Sequence, residues 1–449
     1  MNPYSTQTRA DQEKMLRVIG VPSVDALFDQ IPERLRTKNL PCLQPALSEM
    51  ELQKEFRRLA DKNVPARRQL SFLGGGYYER FIPSAVAALA TRAEFLTSYT
   101  PYQPEISQGN LQAFFEFQTM VCDLFAMDLA NASLYDGSTA LGEAVILACG
   151  ERPKAKRIIV SRAVHPEYRA LIRTSLGPLE IDVVEIGAAT GETSLEDLKQ
   201  ALAEPAACVV MQQPNFFGVI EAMGEASQLA HDAGALFVAN VEPLSCALIA
   251  PPGEYDADIA VAEGQGLGCG LTYGGDAVGL FAAKKEFMRK VPGRLVGLAQ
   301  DRRGRRGFVL TLQTREQHIR REKAASNICT NHAQMALRVA IYLALMGPDL
   351  LRQVAERAHA NAAWLREKIC EIKGMRVPFA GEAFGEFVVE VPRSPADLIK
   401  AGAALGILPG IDLSRDYPEL DHHLLVCATE TKSLDELQQY VDFLKSFSA

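Results

Sequence analysis

Two short segments of the chain carry groups that could bind an anion or a flat ring. The first is DGST at 136–139, in which Asp136 and Gly137 form a turn and Ser138 and Thr139 open a helix. Free backbone N–H groups and the positive end of a helix suit a phosphate. The same residues also make an ordinary helix N-cap, and this motif alone favours the cap.

The second segment is AVHPEY, in which His165 follows the predicted strand RIIVS and precedes Pro166. The imidazole could stack on a planar ligand. A histidine in a surface loop is the commoner explanation of such a residue. Neither segment defines a site by itself, because its role depends on the strands and helices that position it.

From about residue 109 the sequence alternates between amphipathic helices and short β-branched strands. The predicted helices are LQAFFEFQTMVCDLFAM, STALGEAVILAC, PEYRALIRTSLG, SLEDLKQALAE and EASQLAHDAG, and the predicted strands are SLYDG, RIIVS, IDVVEI, ACVVMQQ, ALFVAN, the strand within EYDADIAVAE, and GGDAVGLFAA. This alternation predicts an α/β fold with a mostly parallel sheet and helices on both faces. Ligands of such sheets bind at the carboxyl ends of the strands.

The flanking regions differ from this pattern. Residues 1–70 are predicted to be an N-terminal helical arm, residues 71–325 a large domain, and residues 326–449 a smaller α+β domain. Further predictions are helices at 11–20, 23–28, 315–347 and 433–447, and strands at FGEFVVEVP and HLLVCATE.

Two positions at later strand ends bear on a cofactor. Pyridoxal-phosphate enzymes of this architecture usually end the strand ALFVAN with Asp and carry a Schiff-base Lys about two dozen residues later. Here the positions hold Asn240 and, within EGQGLG, Gly266. No lysine lies between Asn240 and Lys284, and Lys284 and Lys285 follow the next strand. They are expected to be ordinary charged residues at a strand end.

Bulk properties exclude several classes of function. A net charge of −8 argues against nucleic-acid binding. RRGRRG at 302–307 is interpreted as a solvated loop, with a local anion contact as the alternative. Apolar runs such as AVAALA at 85–90 are too short to cross a membrane, and no secretory signal opens the sequence. Nine unpatterned cysteines predict a reduced, cytoplasmic protein, and no metal-binding motif is found.

Several blocks of the sequence resemble the N-terminal half of the glycine cleavage P-protein. They are FLGGGYYERFIP (72–83), the segment from YTPYQPE to LGEA (99–144), QQPNFFGVIE (212–221), SNICTNHA (326–333) and GIDLSRDYPELDHHLLVCATE (410–430). The resemblance covers roughly residues 10–445, and TPYQPE and SNICT are its most specific parts.

The resemblance implies an aminotransferase-like large domain of fold type I. In this family some organisms split the enzyme into two homologous subunits. The second subunit carries the Schiff-base lysine and pyridoxal phosphate, and the length of this chain matches the first. An α2β2 assembly would decarboxylate glycine and pass its aminomethyl group to the lipoyl arm of the H-protein. The vestigial cofactor positions of this chain would be Asp136, Ser138, Thr139, His165, Asn240 and Gly266.

A subunit without the lysine could still complete the pocket of its partner. The candidate contributors are Tyr77 and Tyr78, beside three glycines, and Tyr99, Tyr102, Gln103, Glu105 and Gln108 on a proline-braced loop. Ordinary interface packing is the alternative for each of them. Two other functions stay open: a self-sufficient pyridoxal-phosphate aminotransferase or decarboxylase, and a non-catalytic scaffold of the same fold.

Overall fold

The computed structural model describes residues 6–36, 44–65, 68–96, 100–272 and 275–448. Two compact units are present, residues 1–64 and residues 65–449. The predicted boundary between a large and a small domain at 325 stays a prediction.

The first unit contains helices α1 (Arg9–Ile19) and α2 (Glu49–Ala60), each opened by a capping box. The helix predicted at 11–20 is thus confirmed, with a start two residues earlier. The helix predicted at 23–28 is a 3-10 turn over Asp25–Phe28, in which the Ser23 hydroxyl accepts from the N–H of Ala26 at 3.2 Å. Neither α1 nor α2 buries a side chain.

The second unit contains the remaining elements. Its helices are α3 (Ser84–Ala90), α4 (Ala93–Leu96), α5 (Gln108–Phe125), α6 (Gly137–Glu151), α7 (Pro166–Leu176), α8 (Leu195–Ala201), α9 (Met223–Asp232), α10 (Gln317–Arg320), α11 (Ala333–Cys370), α12 (Pro395–Ala404) and α13 (Leu434–Ser448). Its strands are β1 (Leu70–Ser71), β2 (Leu129–Ala130), β3 (Arg157–Ser161), β4 (Asp182–Ile186), β5 (Cys208–Gln213), β6 (Leu236–Val241), β7 (Ile259–Glu263), β8 (Gly279–Ala283), β9 (Leu295–Gln300), β10 (Arg306–Thr311), β11 (Glu386–Glu390), β12 (Ile407–Leu408), β13 (Ile411–Asp412) and β14 (His423–Cys427).

A seven-stranded sheet forms the centre of this unit, in the order β2-β8-β7-β6-β5-β3-β4. Strands β7, β6, β5, β3 and β4 are parallel. Strand β8 pairs antiparallel with β7, and the edge strand β2 pairs antiparallel with β8. Alternate residues of β6 enter two different apolar clusters: Phe237 and Ala239 face one, and Leu236 and Val238 face the other. Both faces of the sheet are therefore covered, which confirms the predicted α/β class.

The C-terminal part packs a three-stranded antiparallel sheet, β11-β14-β13, against helices. Its apolar cluster combines Leu365 of α11, Phe387 of β11, Val426 of β14 and Tyr440 of α13. The two strands predicted here and the terminal helix are confirmed.

Two predicted elements are wrong. SLYDG is not a strand: among these residues Leu134 alone makes an isolated bridge, to Gly279. Ser133 has φ 97°, which breaks the extended backbone.

The continuous helix predicted from residue 315 is also wrong, since α11 begins at Ala333. The Ser326 hydroxyl accepts from the N–H of Gly293 at 2.8 Å, and the Asn331 amide donates to the carbonyl of Ala132 at 2.7 Å. These side chains bond the backbone of other loops and so hold the segment out of a helix.

The basic RRGRRG segment lies at the turn of the β9–β10 hairpin. Residues 302–305 are exposed, as predicted, but Arg306 and Gly307 belong to β10. The Asp301 carboxylate accepts from the backbone N–H groups of Arg303 and Arg305, which shapes this turn.

Within the described residues, α11 is the one helix long and apolar enough to cross a membrane. The apolar runs in the sequence had predicted no such helix. Gly347 interrupts α11 with a non-helical backbone, and Pro348 follows it. Ala336, Val339 and Tyr342 in its first half lie in the apolar cluster that covers the sheet. This helix therefore packs as part of the protein core.

Candidate functional site

The carboxyl ends of the parallel strands bring three predicted residues together. His165, Asn240 and Tyr78 line one small cavity, together with Glu263 and Tyr168, which were not predicted. The cavity has a volume of about 30 Å³, which is room for about one water molecule. Small-molecule sites usually offer roughly 300–1,000 Å³.

The amino end of α6, where the sequence suggested a phosphate, already faces a carboxylate of the protein. Oε2 of Glu263 accepts from the N–H of Gly137 at 2.9 Å. Oε1 accepts from the N–H groups of Gln265 at 2.9 Å and Val278 at 3.0 Å. Burial raises the pKa of Glu263 to about 7, although these N–H groups oppose the rise. An internal acid thus takes the place of an external anion.

The hydroxyl groups at this helix end are also engaged. Oδ1 of Asp136 accepts from the N–H of Thr139 and from the Ser138 hydroxyl, both at 2.7 Å. Asp136 is therefore the N-cap of α6, which is the simpler of the two interpretations of DGST. A Cβ atom on Gly137 would lie 2.5 Å from the Tyr168 hydroxyl, so the packing here leaves no spare room.

His165 uses both ring nitrogens within the chain. Nε2 lies 2.8 Å from the carbonyl oxygen of Gly75, and Nδ1 accepts from the N–H of Glu167 at 3.2 Å. Because a carbonyl can only accept, the proton belongs on Nε2. Burial lowers the pKa of His165, which keeps the imidazole neutral. The ring stacks on Tyr168 at 4.8 Å, and the edge contact with Phe216 is also 4.8 Å.

Asn240 donates to Oε1 of Gln212 at 3.0 Å, and the same oxygen accepts from the N–H of His165 at 2.9 Å. The amide carries no negative charge. It therefore cannot hold a proton on a pyridine nitrogen as an aspartate would.

Gly266 takes the position at which related pyridoxal-phosphate enzymes carry the Schiff-base lysine, and the Arg80 side chain lies beside it. A Cβ atom on Gly266 would lie 3.3 Å from Cγ of Arg80. Arg80 forms buried ion pairs with Glu430 at 2.9 Å and Glu242 at 3.2 Å. Burial alone would lower the pKa of Arg80, but attraction to the two acids outweighs it and raises the pKa.

Lys284 is far from this position along the strand. It pairs with Asp256 at 2.9 Å and Asp258 at 2.8 Å, next to the first residue of β7, whereas Glu263 ends that strand. Lys284 therefore lies near the amino ends of the parallel strands, whereas His165 and Asn240 lie near their carboxyl ends.

Pyridoxal phosphate does not fit this pocket. The remaining volume is too small, Glu263 occupies the anion position, and Arg80 fills the space beside Gly266. Within the described residues, no group of three or more His, Cys, Asp or Glu side chains could hold a metal ion.

The glycine-rich loop closes over the same pocket. The Tyr78 hydroxyl donates to Glu386, and the Tyr78 N–H donates to Gln265 at 3.2 Å. Tyr77 is 40% exposed, with its hydroxyl 3.5 Å from Glu263. Tyr78 therefore contacts its own chain, whereas the Tyr77 ring remains accessible.

Glu386 also holds the backbone of the glycine-rich loop, since it accepts from the N–H of Gly75 at 2.9 Å. Burial raises the pKa of Glu386 to about 7, against the effect of these two hydrogen bonds.

The proline-braced loop presents a different surface. The Tyr102 hydroxyl accepts from Arg294 at 3.2 Å while the ring is half exposed. Gln103 and Glu105 are exposed. The Gln108 amide donates to the carbonyls of Pro104 at 2.7 Å and Phe308 at 2.9 Å, and its oxygen accepts from the N–H of Phe308 at 2.9 Å.

Gln108 thus anchors the loop to the β9–β10 hairpin. Tyr99, the remaining residue predicted for this loop, lies outside the described residues.

Sequence reasoning missed the residues that fill the pocket. Arg80, Glu242, Glu386 and Glu430 form its ionic part, but they come from distant segments of the chain. A useful signal was available for Glu263 alone: it is an acid at a strand end in a sheet whose neighbouring helix has free N–H groups.

This sheet order and the position of the pocket define the large domain of fold type I pyridoxal-phosphate enzymes. A glutamate decarboxylase of Lactobacillus brevis has the same fold, with a TM-score of 0.70 and 12% identity over 94% of this chain and 96% of its own. The side chains that would hold the cofactor are replaced in this chain.

Residues 3–444 match the family described as glycine cleavage system P-protein. A Geobacillus kaustophilus (strain HTA426) protein described as probable glycine dehydrogenase (decarboxylating) subunit 1 is 46% identical over 444 residues, which are 99% of each chain. A crystal structure of glycine decarboxylase (P-protein) of the glycine cleavage system, in inhibitor-bound form, has a TM-score of 0.91 and 42% identity over 99% of both chains. The chain therefore belongs to the glycine cleavage system P-protein family.

Replacing Arg80 tests the ionic part of the pocket. Arg80→Met should lower the free energy of unfolding by about 3–5 kcal/mol, because Glu242 and Glu430 would remain buried without a counter-charge. Urea denaturation measures the change. The control is Arg92→Met, which removes an exposed pair with Glu94 and should leave the midpoint unchanged. Equal midpoints for both variants would show that the buried pairs contribute nothing.

Glu386 should make the stability of the chain depend on pH. Its pKa is higher in the folded state than the usual 4.5, so the folded state binds the extra proton, and stability present at low pH is lost as pH rises through about 7. Between pH 5 and pH 8, the free energy of unfolding of Glu386→Gln should fall by about 2–3 kcal/mol less than that of the wild type. Urea titrations at both pH values measure this, with exposed Glu116→Gln as the control. Parallel pH profiles for wild type and Glu386→Gln would contradict the assignment.

Proposed function

We propose that this chain is the lysine-less subunit of a two-subunit glycine decarboxylase of the glycine cleavage system. It would act in the cytoplasm in an α2β2 assembly with a homologous lysine-bearing subunit. That partner would carry pyridoxal phosphate. The assembly would decarboxylate glycine and pass the aminomethyl group to the lipoyl arm of the H-protein.

One observation carries the proposal: the pocket of this chain is filled by its own side chains while the rest of the fold is kept. Glu263 takes the anion position and Arg80 the space beside Gly266. A self-sufficient pyridoxal-phosphate enzyme would need both positions open. The word "subunit" in the descriptions of its relatives favours a catalytic partner over an isolated scaffold.

This chain's contribution to the partner would come from its exposed, fixed loops. The Tyr102 hydroxyl accepts from Arg294. Gln108 joins the loop to the neighbouring hairpin, because it bonds both the carbonyl and the N–H of Phe308. Gln103 and Glu105 therefore project from a backbone that is already ordered. Such order avoids the entropy of arranging groups after the partner binds.

The isolated chain should not hold the cofactor. Mixed with pyridoxal phosphate, it should show no absorption band of a bound cofactor and no borohydride-reducible adduct on lysine. Added to a lysine-bearing homologue, it should co-elute and restore glycine-dependent CO2 exchange. A single modified lysine, together with glycine decarboxylation by the chain alone, would favour the self-sufficient enzyme. Co-elution without any gain in exchange would favour the scaffold.

Substitutions in the exposed loop should affect turnover without affecting assembly. Tyr102→Phe removes the hydroxyl that accepts from Arg294, and Glu105→Gln removes a charge. Each should reduce the kcat of the assembled enzyme roughly ten- to hundredfold, because small displacements of positioning groups are costly. Glu116→Gln, on the exposed side of α5, is the control. Normal turnover of both assembled variants would exclude these residues from the partner's site.

A further inference from the structure

A histidine of the short helix α10 faces a buried acid. Oε2 of Glu316 lies 3.6 Å from Nδ1 of His318, which is an ionic contact rather than a hydrogen bond. The Glu316 side chain is 5% exposed, whereas the His318 side chain is 40% exposed. The acid therefore lies behind the ring, and part of the ring is accessible from outside.

Glu316 has no other counter-charge. Its Oε1 is buried and accepts no hydrogen bond, and no lysine or arginine nitrogen lies within 4 Å of the carboxylate in the part of the chain that the structure describes. A buried carboxylate without an opposite charge is unfavourable, and a protonated imidazole supplies that charge. Glu316 therefore favours the uptake of a proton by His318.

His231 shows how a pair of histidine and acid can be purely structural. Its Nε2 lies 2.8 Å from Asp258, which also pairs with Lys284 at 2.8 Å. Because the lysine neutralises this acid, a charge on His231 is not required. Glu316 lacks such a lysine among the described residues, so His318 is the group that can neutralise it.

The orientation of the His318 ring leaves one nitrogen free. In the neutral ring the proton belongs on Nδ1, since this nitrogen faces the carboxylate. Nε2 is then an acceptor, and it makes no hydrogen bond with the described residues. A histidine with an acid behind Nδ1 and an open Nε2 is arranged as a general base.

The ring lies beside the exposed loop that carries Tyr102. The centroids of the two rings are 5.8 Å apart, and the ring planes meet at 70° in an edge-to-face contact. The Tyr102 hydroxyl accepts from Arg294 at 3.2 Å, and the ring is half exposed. His318 therefore belongs to the same surface as the loop assigned above to the partner's site.

We infer that His318, with Glu316 behind it, is a general base that this chain supplies to the glycine site of the lysine-bearing subunit. Glycine carries an ammonium group at neutral pH, and only the unprotonated amine can attack a carbonyl carbon. One N–H bond of the ammonium group breaks, its electron pair stays on nitrogen, and the proton moves to Nε2 of His318. Water takes up the proton afterwards, and no electron is transferred. This inference rests on the proposed function, because the substrate would be bound to the partner.

The test uses the assembled enzyme with His318→Ala, which removes the base and leaves a space beside Tyr102. The kcat/KM for glycine in CO2 exchange should fall about a hundredfold, as expected for the loss of a general base. Added imidazole can enter the space, so it should raise the activity of this variant severalfold and leave the wild type unchanged. His318→Gln should be similarly slow and should not respond to imidazole, because its side chain fills the space.

Glu316→Gln tests the acid separately. The ring remains, but the imidazolium loses its counter-charge, so kcat/KM should fall roughly tenfold without any response to imidazole. The matched control is His422→Ala, an exposed histidine 4.0 Å from the exposed Asp421, which should change nothing.

Full activity of His318→Ala or of Glu316→Gln would overturn the inference. So would a loss of activity that imidazole does not restore in a His318→Ala chain that still co-elutes with its partner, since that result indicates a structural role. If His318→Ala does not co-elute, the rate of His318→Gln decides, and a normal rate would overturn the inference. Failure of the wild-type chains to assemble or to exchange CO2 would instead contradict the proposed function.

Discussion

The structure of the pocket depends on the contact between the Glu263 carboxylate and the amino end of α6. Helix N-termini in parallel sheets attract anions, because their first N–H groups have no partner in the helix. Here the Glu263 carboxyl group at the end of β7 provides an acceptor oxygen 2.9 Å from the Gly137 nitrogen. The absence of a side chain at Gly137 lets Tyr168 and Glu263 approach closely. The pocket is therefore complete without a ligand.

This arrangement suits a division of labour between two related chains. A pocket of this size must satisfy its buried polar groups from within the chain, since unpaired buried groups are costly. Glu263 does so for the helix end, and Asn240 with Gln212 does so for the strand ends. The loop around Tyr102 is held separately, by Arg294 and by the contact of Gln108 with Phe308, and the Tyr102 ring is half exposed.

The sequence was sufficient for features that depend on local patterns. The parallel strands and their helices follow from apolar periodicity, and the missing lysine follows from a gap along the chain. The filling of the pocket could not be predicted, because its contacts join residues 126 positions apart, as for Gly137 and Glu263. The SLYDG strand failed for a similar reason: the left-handed backbone of Ser133 depends on tertiary contacts, not on β propensity.

The pair formed by Arg80 and Glu430 has a consequence for biosynthesis. The two residues are 350 positions apart, so the guanidinium emerges from the ribosome long before its acid is synthesised. Early segments of large proteins begin to fold during translation. The sheet can assemble in that interval with Arg80 paired to Glu242, but the second ion pair of Arg80 cannot form until Glu430, just after β14, has been made. The Arg80–Glu430 pair is therefore among the last contacts that the growing chain can make.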